Sequence, residues 1–372
     1  MLPSGIMGGN SQKSFVGRII TFKVYSMRKI LSVIILCLCM LSMTSCSAAE
    51  QEKTSVTAKI PNFVPLTKVN DGQPDVYLIV KVLDSNYWQV IIDGVKAAAE
   101  EAGVNVYYSG TYNETDYESQ RKLIDKALEA KADGLILAPD DSAKLTDNIK
   151  CLYDKGIPVA LVDTVINGDA FDVCYMTDNY QAGQAAAKEM LLRLEGMGHE
   201  SLEELSVGIV VGSSASQTIN ERLAGFYQYW YENAPHKWTI IGDIKNCSGD
   251  VEYAAALCED LIDDNDSLAG LFGTNNGPTR ALCSTVTAKE RHDIVIVGFD
   301  YSDEMKAQID SDEYTASTIL QRQYDMGYNA LMSVRDMLDG KGAGAKFIDT
   351  GVITVNSDTM SDPEVIKTIE RN

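Results

Sequence analysis

The chain has 372 residues, 45% of them apolar, with 53 Asp and Glu against 32 Lys and Arg and a formal net charge of −21. Such acidity repels phosphate backbones and anionic lipid surfaces, which excludes nucleic acid as a partner. The length is too great for one small core and suits two domains of about 150 residues each.

In chain order the first informative element is a leader. Arg28 and Lys29 precede an apolar stretch from Ile30 to Leu41, of signal-peptide length, and Met43-Thr44-Ser45-Cys46 places small residues before a cysteine. The apolar run is short of the roughly 20 residues that a membrane span needs. This segment resembles a bacterial lipoprotein signal, which implies a lipid on the Cys46 sulfur, cleavage before it, and a chain held at the membrane it crossed. Residues 1–26 carry no pattern of their own and read as an upstream extension. Without residues 1–45 the chain keeps 327 residues, with 53 acidic against 27 basic side chains. Beyond Cys46 stand Cys151, Cys174, Cys247, Cys258 and Cys283, an odd number with no CxxC spacing, so neither a disulfide framework nor a zinc site is expected. Cys151 and Cys258 fall on apolar helix positions and are expected to be buried, inert thiols. Residues 46–74 are polar, contain Pro61, Pro65 and Pro74, and read as a tether reaching about 30 Å as a flexible coil.

From Val76 onward, short β-branched apolar runs alternate with amphipathic helical runs. Val76 to Val80 predicts a strand; Val90, Ile91, Val95, Ala98, Ala99 and Ala102 then recur at helical spacing and end at Gly103, a C-terminal glycine cap. Further strands are predicted at Val104–Tyr108, Gly134–Ala138 and Val159–Val162, with helices through Leu123, Ala127 and Leu128 and through Ile149 and Leu152. The alternation restarts with strands at Val207–Val211, Trp238–Ile241, Leu268–Phe272 and Ile294–Val297. Strands apolar on both faces that alternate with helices belong to parallel sheets, so the fold class is α/β, with two doubly wound lobes in tandem.

Ligands of such sheets bind beyond the carboxyl ends of the strands, where the strand order reverses. Those ends carry Asp84-Ser85-Asn86-Tyr87-Trp88, Asp163-Thr164, Gly212-Ser213-Ser214, Thr274-Asn275-Asn276 and Gly298-Phe299-Asp300. Neither GxGxxG nor GxxxxGK[ST] occurs there, so no nucleotide cofactor is indicated. Carboxylates, amides, hydroxyls and two adjacent aromatics suit a neutral polyhydroxylated molecule, whose ring stacks and whose hydroxyls pair. His199, His236 and His292 are scattered, with no HExxH or GxSxG motif, so catalysis has no visible machinery.

At these residues a family resemblance emerges. Asp84 to Trp88 before Asp93-Gly94, Ile157-Pro158-Val159 leading to Asp163, Thr177-Asp178-Asn179 with Ala182-Gly183, Arg222 to Phe226, Phe272 to Asn275, and Val297 to Asp300 stand in the order and spacing of the periplasmic sugar-binding proteins. The nearest pattern is that of the ribose-binding protein and its relatives, the solute receptors of ABC importers, and it spans about Val76 to Val355. The resemblance implies a type I periplasmic-binding-protein fold whose lobes, 75–178 plus 322–349 and 179–321 plus 350–372, meet at a three-strand hinge near Asp178, Gln321 and Asp349. It implies that Ser85, Tyr87 and Trp88 contact sugar, the aromatics by stacking, and that Asp163, Arg222, Asn275, Asp300 and Gln321 bond its hydroxyls. Two large aromatics on one loop are expected to be exposed for that use. Asp163 is otherwise a turn residue, Arg222 a surface partner of Glu221, and Asn275 and Asp300 helix N-caps. Thr164 departs from the pattern, which has Arg there; one hydroxyl does not replace a planar five-donor group, and this puts ribose itself in doubt. Cys247 to Asp250 has no aromatic where relatives often present one.

The expected function is capture of a small carbohydrate outside the membrane and its delivery to an ABC permease, by a lipid-anchored monomer without cofactor, metal or catalysis. A sugar-sensing co-receptor for a membrane histidine kinase or chemoreceptor would share the pocket. A secreted enzyme would need a catalytic constellation, and a lactose-repressor relative would need a DNA-reading helix-turn-helix and a cytoplasmic address.

Overall fold

In the computed structural model the described residues are 62–214 and 216–371; the leader, Cys46 and the first part of the tether lie outside them. The first strand, β1 (Val64–Pro65), pairs antiparallel with the edge of the first sheet. Then come β2 (Asp75–Val82), α1 (Asn86–Ala102), β3 (Asn105–Thr111), α2 (Tyr117–Glu129), β4 (Gly134–Leu137), α3 (Thr146–Tyr153), β5 (Val159–Val162) and β6 (Val173–Met176). The chain leaves this sheet for α4 (Asn179–Gly196), β7 (Leu205–Val211), α5 (Gln217–Asn233), β8 (Trp238–Ile240), β9 (Lys245–Asn246), α6 (Val251–Asp264), β10 (Leu268–Gly273), α7 (Asn276–Ala288), β11 (Val295–Phe299), α8 (Asp303–Ile309) and β12 (Thr315–Gln321). It returns with α9 (Gln323–Leu338) and β13 (Phe347–Asp349), then finishes with β14 (Val352–Asn356) and α10 (Pro363–Arg371).

The first sheet runs β1-β3-β2-β4-β5-β6-β13 and the second β14-β12-β11-β10-β7-β8, with β9 also on β7. All pairings are parallel except those of β1 and β14. In each sheet the chain turns back beside its first strand, between β2 and β4 and between β7 and β10, which opens a crevice at the carboxyl ends. Successive side chains of a strand face opposite ways, and this splits each sheet's apolar residues into two cores. Val76, Leu78 and Val80 pack under α1 and α9, while Tyr77 and Ile79 pack under α2 and α3. Val207, Ile209 and Val211 meet α4 and α5, and Val210 faces α6 and α7.

Paired glycines bring the helices over the inner cores into close approach. A Cβ on Gly94 would overlap the Tyr324 carbonyl and one on Gly327 the Ile91 carbonyl; Gly183 and Gly225 stand in the same way against Arg222 and Tyr180. The three crossings between sheets are knit together. Asp349 Oδ1 accepts from the backbone N–H of Asp178 at 2.8 Å and of Gly351 at 2.9 Å, Thr350 N–H reaches the Met176 carbonyl at 3.0 Å, and Thr177 Oγ1 donates to Gln321 Oε1 at 2.9 Å.

The strand runs expected from sequence all form, and shorter or more polar strands such as β6, β13 and β14 add to them. Cys258 is buried, and burial pushes its thiol up to about 12. Cys151 is exposed, against expectation, because Ile149 and Leu152 take the buried face of α3 and Cys151 lies about 100° round the helix from Leu152. No described helix is long and apolar enough to cross a membrane.

Candidate functional site

The first lobe builds its site on the ends of β2 and β5. Asp163 follows β5 with φ 65°, a left-handed conformation that is strained for a residue with a side chain. Its Oδ1 accepts from the Tyr87 hydroxyl at 2.6 Å, and its Oδ2 from Lys81 Nζ at 2.8 Å and Thr164 Oγ1 at 2.7 Å. Lys81 Nζ also donates to Thr164 Oγ1 at 2.8 Å and lies 5.4 Å from the Trp88 ring centroid. Burial opposes ionisation of Asp163, but the Lys81 ammonium and three hydrogen bonds outweigh it and hold the carboxyl below its ordinary range. Lys81 is raised in turn, the charges of Asp163 and Glu114 overcoming its burial, so both partners are ionised. Burial and the Asp163 charge push Tyr87 well above an ordinary phenol, which keeps it a donor.

The aromatics are not displayed as expected. Trp88 is only 2% exposed and belongs to the first-lobe core, with Tyr87 edge-on against it at 4.9 Å. Helical spacing explains this: Trp88 shares a face of α1 with Ile91, Ile92 and Val95, and its indole N–H reaches Glu114 Oε1 at 3.4 Å. Ser85 is half-buried at the N-cap position of α1 and makes no side-chain cap bond.

The second lobe places Arg222, Asn275, Asp300 and Gln321 at the corresponding ends. Arg222 is 4% exposed and is no surface partner of Glu221. Its Nε donates to Asn179 Oδ1 at 2.9 Å, its Nη1 to the Thr274 carbonyl at 2.8 Å, and its guanidinium lies 3.9 Å from the Phe299 ring centroid. Asp300 follows β11 with φ 68° and is buried. Its Oδ1 accepts from Gln321 Nε2 at 3.0 Å, and the backbone N–H of Asn276, the first residue of α7, also bonds the carboxylate. Asp300 does not cap the helix that follows it, since the Ser302 hydroxyl does so by accepting from Met305 N–H at 3.2 Å. Burial raises the Asp300 carboxyl, and nearby Arg222 offsets this only in part. Asn275 sits at the N-cap position of α7 without a side-chain cap bond; its Oδ1 accepts from Thr274 Oγ1 at 3.3 Å, in space that a side chain on Gly212 would fill.

The two lobes face each other through these groups. Asp163, Asp300, Tyr87 and Arg222 stand near enough to shift one another's titration. Lys81 is a functional candidate that sequence reasoning missed; its signal is a lone charge inside the apolar strand Val76 to Val82. Asp140, just beyond β4, is a second. The described residues hold no group of three or more His, Cys, Asp or Glu suited to a metal. A cavity of about 140 Å³ lined by Arg322, Tyr324, Asp325, Glu364 and Arg371 lies between α9 and α10 and includes none of the expected ligand groups.

Comparison with known proteins bears on this arrangement. Residues 76–342 match the periplasmic binding protein domain. The chain is 25% identical over 250 residues to the D-ribose/D-allose-binding protein of Pseudomonas aeruginosa, covering 64% of this chain and 75% of that one. It is 24% identical over 250 residues to the D-apiose import binding protein of Actinobacillus succinogenes, covering 67% and 77%. Among solved structures, an ABC transporter solute-binding protein of Agrobacterium vitis with bound D-fucose superposes with a TM-score of 0.70 at 25% identity, over 78% of this chain and 98% of that one. The periplasmic component of an ABC-type sugar transport system from Hahella chejuensis gives 0.68 at 27% identity, over 76% and 100%. The chain belongs to the periplasmic binding protein family.

Proposed function

We propose that the protein is an extracytoplasmic solute-binding lipoprotein that captures a small carbohydrate between its two lobes and delivers it to the permease of an ABC transporter. The observation that carries this reading is the pair of strained aspartates, Asp163 and Asp300, ending equivalent strands of the two lobes and near enough, with Tyr87 and Arg222, to influence one another electrostatically. Neutral hydroxyls are what such a mixed set of donors and acceptors can pair without leaving a net buried charge. Asp163 already accepts three hydrogen bonds, so about one lone-pair position is left for a ligand hydroxyl. Asp300 and Arg222, whose guanidinium has more donors than the two bonds to Asn179 and Thr274 use, offer more. Ser85, Thr164, Asn275 and Gln321 are the further hydroxyl partners in this reading, and Trp88 packs behind Lys81. Relatives named for D-ribose, D-allose and D-apiose, and a structure with D-fucose, mark pentoses and hexoses as the ligand class.

Closure is a hinge motion at the three crossings, and the ligand favours the closed form only by contacts to both lobes. A lipid on Cys46 and the tether behind it hold the body at the membrane, as a monomer. Cys46→Ala is expected to release it, and unchanged membrane retention would remove the anchor. The test of the function is a thermal-shift and calorimetric screen of the purified protein against pentoses, hexoses, polyols and disaccharides. At 100 times Kd one sugar should stabilise by about 2.7 kcal/mol. A screen in which no carbohydrate shifts the transition sinks the reading.

A further inference from the structure

Asp140 follows β4, the strand between β2 and β5, whose carboxyl ends carry Lys81 and Asp163, and the Lys81 ammonium is among the charges that act on it. Its backbone is pinned: the N–H donates to Gln120 Oε1 at 2.7 Å, and Gln120, wholly buried, donates through Nε2 to the Ala138 carbonyl at 2.8 Å. Both carboxyl oxygens are shielded from solvent, and neither has a hydrogen-bond partner among the described residues. Buried carboxyl groups are normally paired or hydrogen-bonded, because an unmade bond in the interior leaves the desolvation cost uncompensated.

The groups that face Asp140 decide what could satisfy it. Lys81 faces it from β2, Glu114 and Asp116 from the loop after β3, and Asp141 from its own loop. Lys81 is already bonded to Asp163 and Thr164. A cationic ligand group here would meet the Lys81 ammonium, and an anionic one would meet the surrounding carboxylates. A neutral hydroxyl is the chemistry that remains. Burial, offset in part by Lys81 and reinforced by Glu114, Asp116 and Asp141, raises the carboxyl to about 8. Near neutral pH it therefore carries its proton and can both donate and accept, as a hydroxyl can.

We propose that Asp140 is a ligand-contacting, specificity-determining residue of the first lobe, bonding one hydroxyl of the captured sugar. The inference rests on the carbohydrate reading above and adds a contact that the family resemblance did not supply.

The experiment titrates the wild-type protein, Asp140→Asn and Asp140→Leu with the tightest binder among D-ribose, D-allose, D-apiose, D-arabinose and D-fucose, and with its monodeoxy analogues. Sugar-free melting is measured alongside. Asp140→Leu should weaken the parent sugar by about tenfold or more, with a smaller loss for Asp140→Asn, which keeps a hydrogen-bonding amide. For one deoxy analogue, lacking the partner hydroxyl, the loss should vanish. The sugar-free melting temperature of Asp140→Leu should be no lower than wild type, since an unpaired buried polar group has been removed. A purely structural residue would weaken every analogue alike and lower the melting temperature, which overturns the proposal. Affinity of Asp140→Leu within about twofold of a wild type that binds sugar also overturns it, on the scale where tenfold is a single lost bond. Should Asp140→Leu fail to fold, the analogue profile of Asp140→Asn decides by the same criterion. Failure of the wild type to bind any sugar instead removes the carbohydrate reading, and this inference with it.

Discussion

The two lobes share a backbone frame and differ in what they do with it. Val76 pairs with Gly134 and Val207 with Gly270, so Lys81 and Gly212 hold the same place beyond those pairs. Asp163 and Asp300 end corresponding strands with φ 65° and 68°, and each lobe has one glycine pair between its inner helices. In the first lobe the ammonium of Lys81 reaches Asp163, and three side chains saturate most of that carboxylate. In the second lobe the corresponding residue has no side chain, Asn275 occupies the space, and Asp300 rests on a neutral amide and a backbone N–H. One carboxylate is held below its ordinary range and the other above it. Duplicated strands thus fix where a carboxylate stands, while one side chain at a neighbouring strand end fixes its charge state and its freedom to bond a ligand.

The largest test of this asymmetry is Lys81→Met. It removes the cation from a buried pair and leaves Asp163 uncompensated, which should cost about 3–5 kcal/mol of folding stability in denaturant unfolding at neutral pH. Gln321→Leu, which removes the neutral donor to Asp300, should cost only about 1–3 kcal/mol. Equal losses would break the comparison.

Titration sharpens it next. Asp163 is lowered in the fold, so its stabilisation is present above the unfolded carboxyl pKa of about 4 and is lost as pH falls through the lower folded value. Asp300 is raised, so its charged form weakens the fold at neutral pH, and acidification relieves that cost. Asp163→Asn should therefore lower stability at pH 7 and flatten the acid limb. Asp300→Asn should keep or raise stability at pH 7 and steepen that limb. Unfolding midpoints measured from pH 7 to pH 3 separate the two; a steepened acid limb for Asp163→Asn would contradict the ionised pair.

The smallest effect is expected at Gln323. It corresponds to Asn179, each lying one helical turn before the glycine that meets the opposite helix at Ile91 or Arg222. Asn179 accepts from Arg222, whereas Gln323, opposite Ile91, buries an Oε1 with no partner among the described residues. Gln323→Met should leave stability unchanged or raise it by up to about 1 kcal/mol, because no bond to that oxygen is lost. A clear loss in thermal unfolding would show that Gln323 is held by interactions the asymmetry does not include.

Much of the frame is legible in the chain because it rests on near neighbours. The apolar runs from Val76 to Val297, the glycine after α1 and the polar strand ends are local patterns, and the strands formed where those patterns lie. Arg222 and Asp300 were legible as positions, through spacing, but not as states. A lone Arg beside Glu221 reads as surface, and only the packing of α5 on α4 buries it against Asn179 and Phe299. Trp88 read as exposed because loop aromatics invite that reading, while the helix that starts there turns it inward.

The sequence by itself determined two doubly wound lobes, the strand ends and the residue types that stand there, because periodicity and turn residues act over a few positions. Only the tertiary structure decided which of those residues meet. Lys81 and Asp163 are 82 positions apart, Thr177 and Gln321 144, and nothing local records their pairing. Charge state follows pairing and burial, so the anchored Asp163, the less bonded Asp300 and Asp140, unpartnered among the described residues, became distinguishable only when distant strands were set side by side.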